Sequence, residues 1–329
     1  MRILIIGAVA AGTSAAAKAR RNSEDAEIVI YEKDSDISYS GCGMPYYLGG
    51  HMENEDELTP RDPAFFKSKY NVDALIRHEV LSIDPEQKHI TVKNLQTGAV
   101  FADAYDKLII STGASAVVPP IQGADKAHVF SMRNVNDTRS IKAFMDQKQP
   151  KTAAIIGSGF IGLEMSETLK SLGLQVTVIE KLPQVSPALD ADMAVHVEEY
   201  LKQQGVAVYT DADIREITGD AVILSDDTRI PAELVLMATG VRPNTALAKA
   251  AGIELGVAGA IRVNTRMQTN LPDIYACGDC IELFDVVTGK PFYRPLGSTA
   301  NKTGRIAGDN VTGRDLEFRG VLGTGIFRV

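Results

Sequence analysis

The apolar residues of this chain fall into short, nearly continuous runs separated by glycine-rich turns. That is the pattern of strands buried on both faces of a parallel sheet, not the alternation of half-exposed strands. Residues 2–6, RILII, form one such run, which ends at Gly7; the segment to Gly12 opens an alanine-rich stretch that predicts a helix through about Arg21. A second run, Ile28 to Tyr31, closes on Glu32, twenty residues after Gly12, with Lys33 beside it. Strand, tight turn, helix and strand in this order make a dinucleotide-type βαβ unit. In such a unit, backbone N–H groups at the helix start, here Val9, Ala10 and Ala11, hold a pyrophosphate, and the acid takes ribose hydroxyls. Val9 stands where the G-x-G-x-x-G pattern has its second glycine, so an ordinary crossover without nucleotide also fits this copy.

The device returns intact between Ala153 and Lys181. A strand leads to Gly157, Gly159 and Gly162, with Phe160 and Ile161 between them, then a helix, then a strand ending in Glu180, eighteen residues after the last glycine. Two copies about 150 residues apart imply two dinucleotides, and for hydride chemistry the obvious pair is a flavin and a nicotinamide. KLIISTGAS, Lys107 to Ser115, and LVLMATGVRPN, Leu234 to Asn244, are strands ending in Thr-Gly. Thr112, Gly113 and Gly240 then mark where the chain turns near a nucleotide and leaves one domain for the other. TNLPDIYACGDC, Thr269 to Cys280, places Gly278 and Asp279 after a short strand, apt for a ribityl hydroxyl, and a helix-like segment follows from Ala300 to Asn310. The fold class expected is α/β with two Rossmann-like three-layer nucleotide-binding domains, one inserted in the other.

Composition narrows the class. With 329 residues, 45% of them hydrophobic, the chain is long enough for two domains or more. No run of eighteen apolar residues occurs and no basic leader precedes RILIIG, so a cytoplasmic protein without a membrane span is expected. The net charge of −8 is spread without blocks, which disfavours nucleic acid or anionic membrane as partner. Five scattered histidines lack metal-ligand spacing, and no metal site is expected.

Chemistry concentrates at ISYSGCGMPYYLGG, Ile37 to Gly50, where Cys42 has no second cysteine nearby. In a reducing compartment such a thiol is more readily catalytic than structural. Cys277 and Cys280 are spaced C-x-x-C, but Asp279 between them would raise a thiolate's pKa, so they read as packed small hydrophobes. Ser14, Lys18 and Arg21 fall on one stripe of the first helix, a serine and two cations suited to the phosphates of a second anionic ligand. Taken alone, the stripe reads first as a solvated helix face.

On these ordered motifs the whole chain resembles the pyridine nucleotide–disulfide oxidoreductase superfamily, in which an FAD domain is interrupted by an NAD(P) domain. The resemblance implies an FAD domain at residues 1–114 and 246–314 and an NAD(P) domain at 115–245. Enzymes of the glutathione reductase type carry C-x-x-x-x-C, whereas here Tyr47 stands five after Cys42. The chain is therefore similar to the single-cysteine branch, and CGMPYYLGG resembles the segment of coenzyme A disulfide, persulfide and polysulfide reductases. NADH peroxidases and water-forming oxidases carry a histidine in the first glycine-rich turn, where this chain has Ala10. The resemblance implies that Cys42 cycles between thiolate and a mixed disulfide with coenzyme A or a related thiol, reduced by NADH or NADPH through FAD. It also assigns Ser14, Lys18, Arg21, Ser38, Gly41, Lys69 and Asn301 as substrate contacts, with Gly41 departing from the usual asparagine. The alternatives are an NADH oxidase or peroxidase using a cysteine sulfenate, and a non-catalytic redox-sensing or electron-transfer flavoprotein. Glu180 predicts NADH preference, because a carboxylate repels a 2′-phosphate. Finally, an apolar strand-like run is expected over Gly320 to Val329, and the resembling enzymes continue into a C-terminal dimerisation domain. The expectation is that residues 315–329 begin that domain, that the chain is truncated, and that the full-length protein is a homodimer.

Overall fold

The apolar runs at Arg2–Ile6 and Glu27–Tyr31 are adjacent parallel strands in a computed structural model that describes residues 1–326. They belong to a unit formed by Met1–Tyr39, Thr59–Ser115 and Arg242–Gly325. Its five-stranded parallel sheet runs Ile274–Ala276, Lys107–Ile110, Arg2–Ile6, Glu27–Tyr31, Asp73–Leu75. A second unit, Ser40–Leu58 and Ala116–Val241, holds a parallel sheet ordered Ala207–Tyr209, Gln175–Ile179, Thr152–Ile156, Leu234–Met237, Val129–Ser131. In each, the glycine loop follows the central strand, where strand order reverses and crevices for nucleotides form. Both central strands are covered on both faces: Ile3, Leu4 and Ile5, and likewise Ala153, Ala154 and Ile155, are fully buried.

Along the chain the α-helices are α1 (Ala10–Asn22), α2 (Met44–Leu48), α3 (Pro63–Tyr70), α4 (Val135–Lys148), α5 (Phe160–Ser171), α6 (Ala191–Gln203), α7 (Ala246–Ala250) and α8 (Gly297–Asn310). Each unit also carries an antiparallel three-stranded meander, His78–Ala104 in the first and Ile214–Pro231 in the second. In the first unit α1 lies against α8 at unusually short range. A Cβ added to Gly304 would sit 2.3 Å from Ala11 O, and one on Gly308 2.4 Å from Ala15 O, so only glycines allow this approach.

The strand expected over Gly320–Val329 is not formed in the described part. Val321 makes one bridge with Asp285, its N–H donating to Phe284 O at 2.9 Å, and positive φ at Gly320 and Gly323 breaks any longer ladder. The rest of that expectation, Phe327 to Val329, lies outside the described residues. Among the described residues no helix is long and apolar enough to cross a membrane, and no group of three His, Cys, Asp or Glu side chains could hold a metal ion.

Candidate functional site

In the first loop Gly7 takes φ +99°, and a Cβ on Gly12 would lie 1.9 Å from Gly7 O; both glycines are required by the turn itself. The start of α1 at Ala10 has no side-chain cap and no acid in its first turn, which leaves the N–H groups around Val9, Ala10 and Ala11 for an anionic ligand. Glu32 closes the loop: its Oε2 accepts from Ala8 N–H at 2.8 Å and its Oε1 from Asp34 N–H at 2.9 Å. Burial holds its carboxyl above the usual carboxylate range in spite of those two donors. Lys33 next to it is exposed.

Two other parts of this unit reach the loop or its sheet. Gly278 N–H donates to Thr303 Oγ1 at 3.1 Å, and a Cβ there would meet Ala11 Cβ at 2.6 Å, so the segment bearing Asp279, α8 and the first loop share one spot. Tyr293 Oη donates to Asp279 O at 2.9 Å. Thr112 Oγ1 donates to Asn244 O at 2.7 Å and Asn244 Nδ2 returns a bond to Thr112 O at 2.9 Å, beside Gly113 at φ +65°. Thr303 and Asn244 were not picked out by the sequence reading; the Thr-Gly pair at Thr303 and Gly304 is the signal that could have flagged the first.

The second loop distinguishes the glycines that the fold needs from the one it does not. Cβ atoms on Gly157 and Gly162 would lie 2.5 Å from Ala238 O and 2.1 Å from Gly157 O. Gly159 has an ordinary φ of −73°, is exposed, and a Cβ there would meet nothing within 4 Å. Nothing among the described residues demands glycine at 159, and the bare backbone at the head of α5, where Phe160 and Ile161 follow, is open to close approach by a ligand. The residues therefore fit a dinucleotide. Glu180 accepts from Ser158 N–H at 2.9 Å, Ser158 Oγ at 2.6 Å and Leu182 N–H at 2.9 Å. Lys181, the cation beside it, is paired with Asp213 at 2.9 Å. Gly240, three residues past the strand Leu234–Met237, takes φ +103°.

Cys42 is exposed in a 3₁₀ turn, Gly41–Gly43, that leads into α2, with Pro45 in the first turn of that helix. Gly41 is exposed and without positive φ, and its nearest side-chain neighbour would be Met44 Cε at 3.7 Å, so no packing demand explains it. Tyr46 stacks edge-on to His51, and Lys142 Nζ lies 5.9 Å from the Tyr47 ring centroid, giving both tyrosines packing contacts. Cys277 and Cys280 are fully buried; burial lifts the first thiol well above its ordinary value and the second to about 11, the Asp279 charge adding to the latter.

The expected substrate residues are dispersed over several elements. Ser14 is half-buried on α1, and Lys18 turns onto α8, its Nζ 3.3 Å from the nearly buried Asp309. Arg21 is exposed with its guanidinium 5.8 Å from the Tyr70 ring. Ser38 takes φ +52° and its N–H donates to Ala8 O at 2.8 Å. Lys69 is exposed on α3 and Asn301 half-buried on α8. Asp309, which also accepts from Asn22 Nδ2 at 2.8 Å, is a charged partner that the reading of the stripe lacked.

Comparison with known proteins agrees over the full length. A Methanocaldococcus jannaschii protein named NADH oxidase is 38% identical over 333 residues, covering 100% of this chain and 74% of the relative. The coenzyme A disulfide reductase of Staphylococcus haemolyticus is 32% identical over 328 residues, 99% of this chain and 74% of that one. A solved NAD-dependent persulfide reductase from A. fulgidus matches with a TM-score of 0.97 at 39% identity, covering 100% of this chain and 62% of its own, so the chain spans less than two thirds of that protein. The family model described as pyridine nucleotide-disulphide oxidoreductase matches residues 1–301, and with a relative of 38% identity over the whole chain, the protein belongs to that family.

Proposed function

We propose that the chain is an FAD-dependent NAD(P)H reductase of coenzyme A disulfide, coenzyme A persulfide or polysulfide, with Cys42 as its redox-active residue. The observation that carries the reading is the contrast among the cysteines. Cys42 is exposed, whereas Cys277 and Cys280 are buried with thiols that burial keeps protonated. A lone accessible thiol has no internal disulfide to form, so its oxidised state is a bond to a substrate sulfur or to oxygen. The family membership and the name of the 32% identical relative favour the substrate sulfur.

FAD is assigned to residues 1–114 and 246–314, of which Ser40–Leu58 pack in the second unit, with Gly7, Val9 to Gly12, Glu32, Lys33, Thr112, Gly113, Gly278 and Asp279 as its contacts. The nicotinamide nucleotide is assigned to 115–245, with Gly157, Gly159 to Gly162, Glu180 and Gly240. When bound, the two cofactors supply a pair of electrons delivered as hydride. Cys42 does the sulfur chemistry. Its thiolate attacks one sulfur of a disulfide RSSR, forms the mixed disulfide and expels RS⁻, which takes a proton. Two electrons and a proton then cleave the mixed disulfide, restoring the thiolate and releasing the second RSH. With a persulfide, attack on the sulfane sulfur expels RS⁻ and leaves a persulfide on Cys42, which two electrons and protons convert to thiolate and sulfide. Ser14, Lys18, Arg21, Ser38, Gly41, Lys69 and Asn301 are assigned to the anionic substrate. A cytoplasmic homodimer without nucleic-acid partner completes the proposal, supported by the dispersed charge of −8, by the reduced state that the thiol requires, and by family likeness.

The relative named NADH oxidase supports a second reading, with a Cys42 sulfenate; Ala10 in place of the usual histidine weighs against it. One variant tests both. Cys42→Ser is expected to keep FAD and its reduction by NADH but to lose reduction of coenzyme A disulfide. Near wild-type disulfide turnover in that variant refutes the mechanism.

A further inference from the structure

The segment bearing Cys42 packs within the second unit, and its attachment runs through residues that the sulfur chemistry itself does not call for. Ser40 N–H donates to Leu58 O at 2.8 Å and so closes the segment on itself. Leu58 is wholly buried, and a Cβ on Gly43 would lie 2.9 Å from Leu58 Cδ2. The Leu58 side chain is thus the floor of the Gly41–Gly43 turn. On its other side Leu58 N–H donates to Glu55 O at 2.8 Å across the short turn Glu55–Glu57, which Asn54 and Glu57 box. Glu55 Oε1 in turn accepts from Arg139 of α4, from Nε at 2.8 Å and Nη2 at 2.5 Å. Arg139 is held in place by Asn136 Oδ1, 2.9 Å from its Nη1. A weaker contact, Thr168 Oγ1 of α5 to Pro45 O at 3.4 Å, attaches α2 itself.

We infer that Arg139 is a positioning residue for Cys42: by gripping Glu55 it fixes Leu58, and Leu58 fixes the turn that presents the thiol. This rests on the assignment of Cys42 as the redox residue and adds a determinant of its geometry. The segment from Ser40 to Leu58 holds only short helical turns, α2 among them, so beside the buried Met44, Pro45 and Leu48 of α2 its position rests on side-chain anchors of this kind. Both Arg139 and Glu55 are half-buried, where a forked, two-nitrogen contact is stronger than an exposed ion pair.

The test uses the FAD-loaded full chain with Arg139→Met and Glu55→Gln, each compared with wild type. Three rates are measured: flavin reduction by NADH, alkylation of NADH-reduced Cys42 by iodoacetamide, and turnover of coenzyme A disulfide. A misplaced thiol lowers alkylation and disulfide kcat by about tenfold while flavin reduction and the KM for NADH stay within about twofold. Exchanging the charges, Arg139→Glu with Glu55→Arg, restores most of the loss. Unchanged alkylation and turnover in both single variants overturn the inference, as does a fall that flavin reduction shares equally. Because alkylation reads Cys42 placement whether or not Cys42 is the redox residue, failure here is distinct from failure of the proposed function, which retained turnover in Cys42→Ser reveals.

Discussion

Gly159→Ala isolates nucleotide binding from folding. The position has φ −73° and ψ −176°, which alanine adopts without strain, and the added methyl meets no protein atom within 4 Å. On the folding side, a compatible Gly→Ala change gains about 0.4–1 kcal/mol by restricting the unfolded chain. Replacing a glycine at the start of a helix costs a similar amount, so Tm is expected to stay within about 3 °C. On the binding side the methyl occupies the space in which a pyrophosphate approaches the head of α5. Overpacking of this kind costs about 1–3 kcal/mol, which at about 1.4 kcal/mol per factor of ten raises the KM for NADH roughly 5- to 150-fold. Flavin content, read from the visible spectrum, stays unchanged. The internal control is Gly162→Ala, whose Cβ would lie 2.1 Å from Gly157 O; it should lose thermal stability outright. A wild-type KM for NADH in Gly159→Ala, with the fold intact, refutes the placement of the nucleotide on this loop.

Other outcomes follow from the same geometry. Glu32→Gln should weaken FAD by about 1.5–3 kcal/mol, the worth of a hydrogen bond to a charged acceptor, measured by titration of the apoprotein; unchanged affinity removes Glu32 from the flavin site. Glu180, with Lys181 drawn to Asp213, should give a higher kcat/KM for NADH than for NADPH, and a clear excess for NADPH contradicts this. His128 is buried with an unpartnered Nε2, and its burial, followed by the Lys126 charge, holds its pKa below the ordinary value. The unfolded chain therefore binds the proton more readily than the folded one. Stability contributed by neutral His128 is full above the ordinary value of about 6.5 and falls as pH drops below it, by at most about 1.4 kcal/mol per pH unit. Denaturant midpoints between about pH 5 and 7 should show a slope that His128→Phe reduces; an unaltered slope rejects the assignment.

Much of this was legible because the signals are local. Buried parallel strands such as Arg2–Ile6 and Thr152–Ile156 need continuous apolar runs, and tight strand-to-helix turns need Gly7 and Gly157, so both βαβ units show in a few dozen residues. The helix start was less exact: α1 begins at Ala10, because Gly12 packs inside the helix against Gly7 O and does not precede it. The meanders at His78–Ala104 and Ile214–Pro231 were not read, since most of their strands are short and half-exposed and the buried apolar run among them, Ala221–Leu224, has only four residues. Nor was the partner of Lys18, for Asp309 arrives from the far end of the chain through the contact of α1 with α8. That contact itself had a local signature, Gly304 and Gly308 spaced one turn apart opposite Ala11 and Ala15. The attachment of Cys42 through Leu58, Glu55 and Arg139 depends on tertiary packing that no spacing rule expresses.

The central claim is that Cys42 holds a substrate sulfur in its oxidised state, and intact mass spectrometry of the FAD-containing protein, isolated without reductant, tests it most directly. The account predicts an adduct of coenzyme A mass, or of added sulfur, on the peptide containing Cys42, released on addition of NADH, with Cys277 and Cys280 unmodified. An unmodified Cys42 before and after coenzyme A disulfide is supplied, or an oxygen adduct as its main oxidised form, would contradict it.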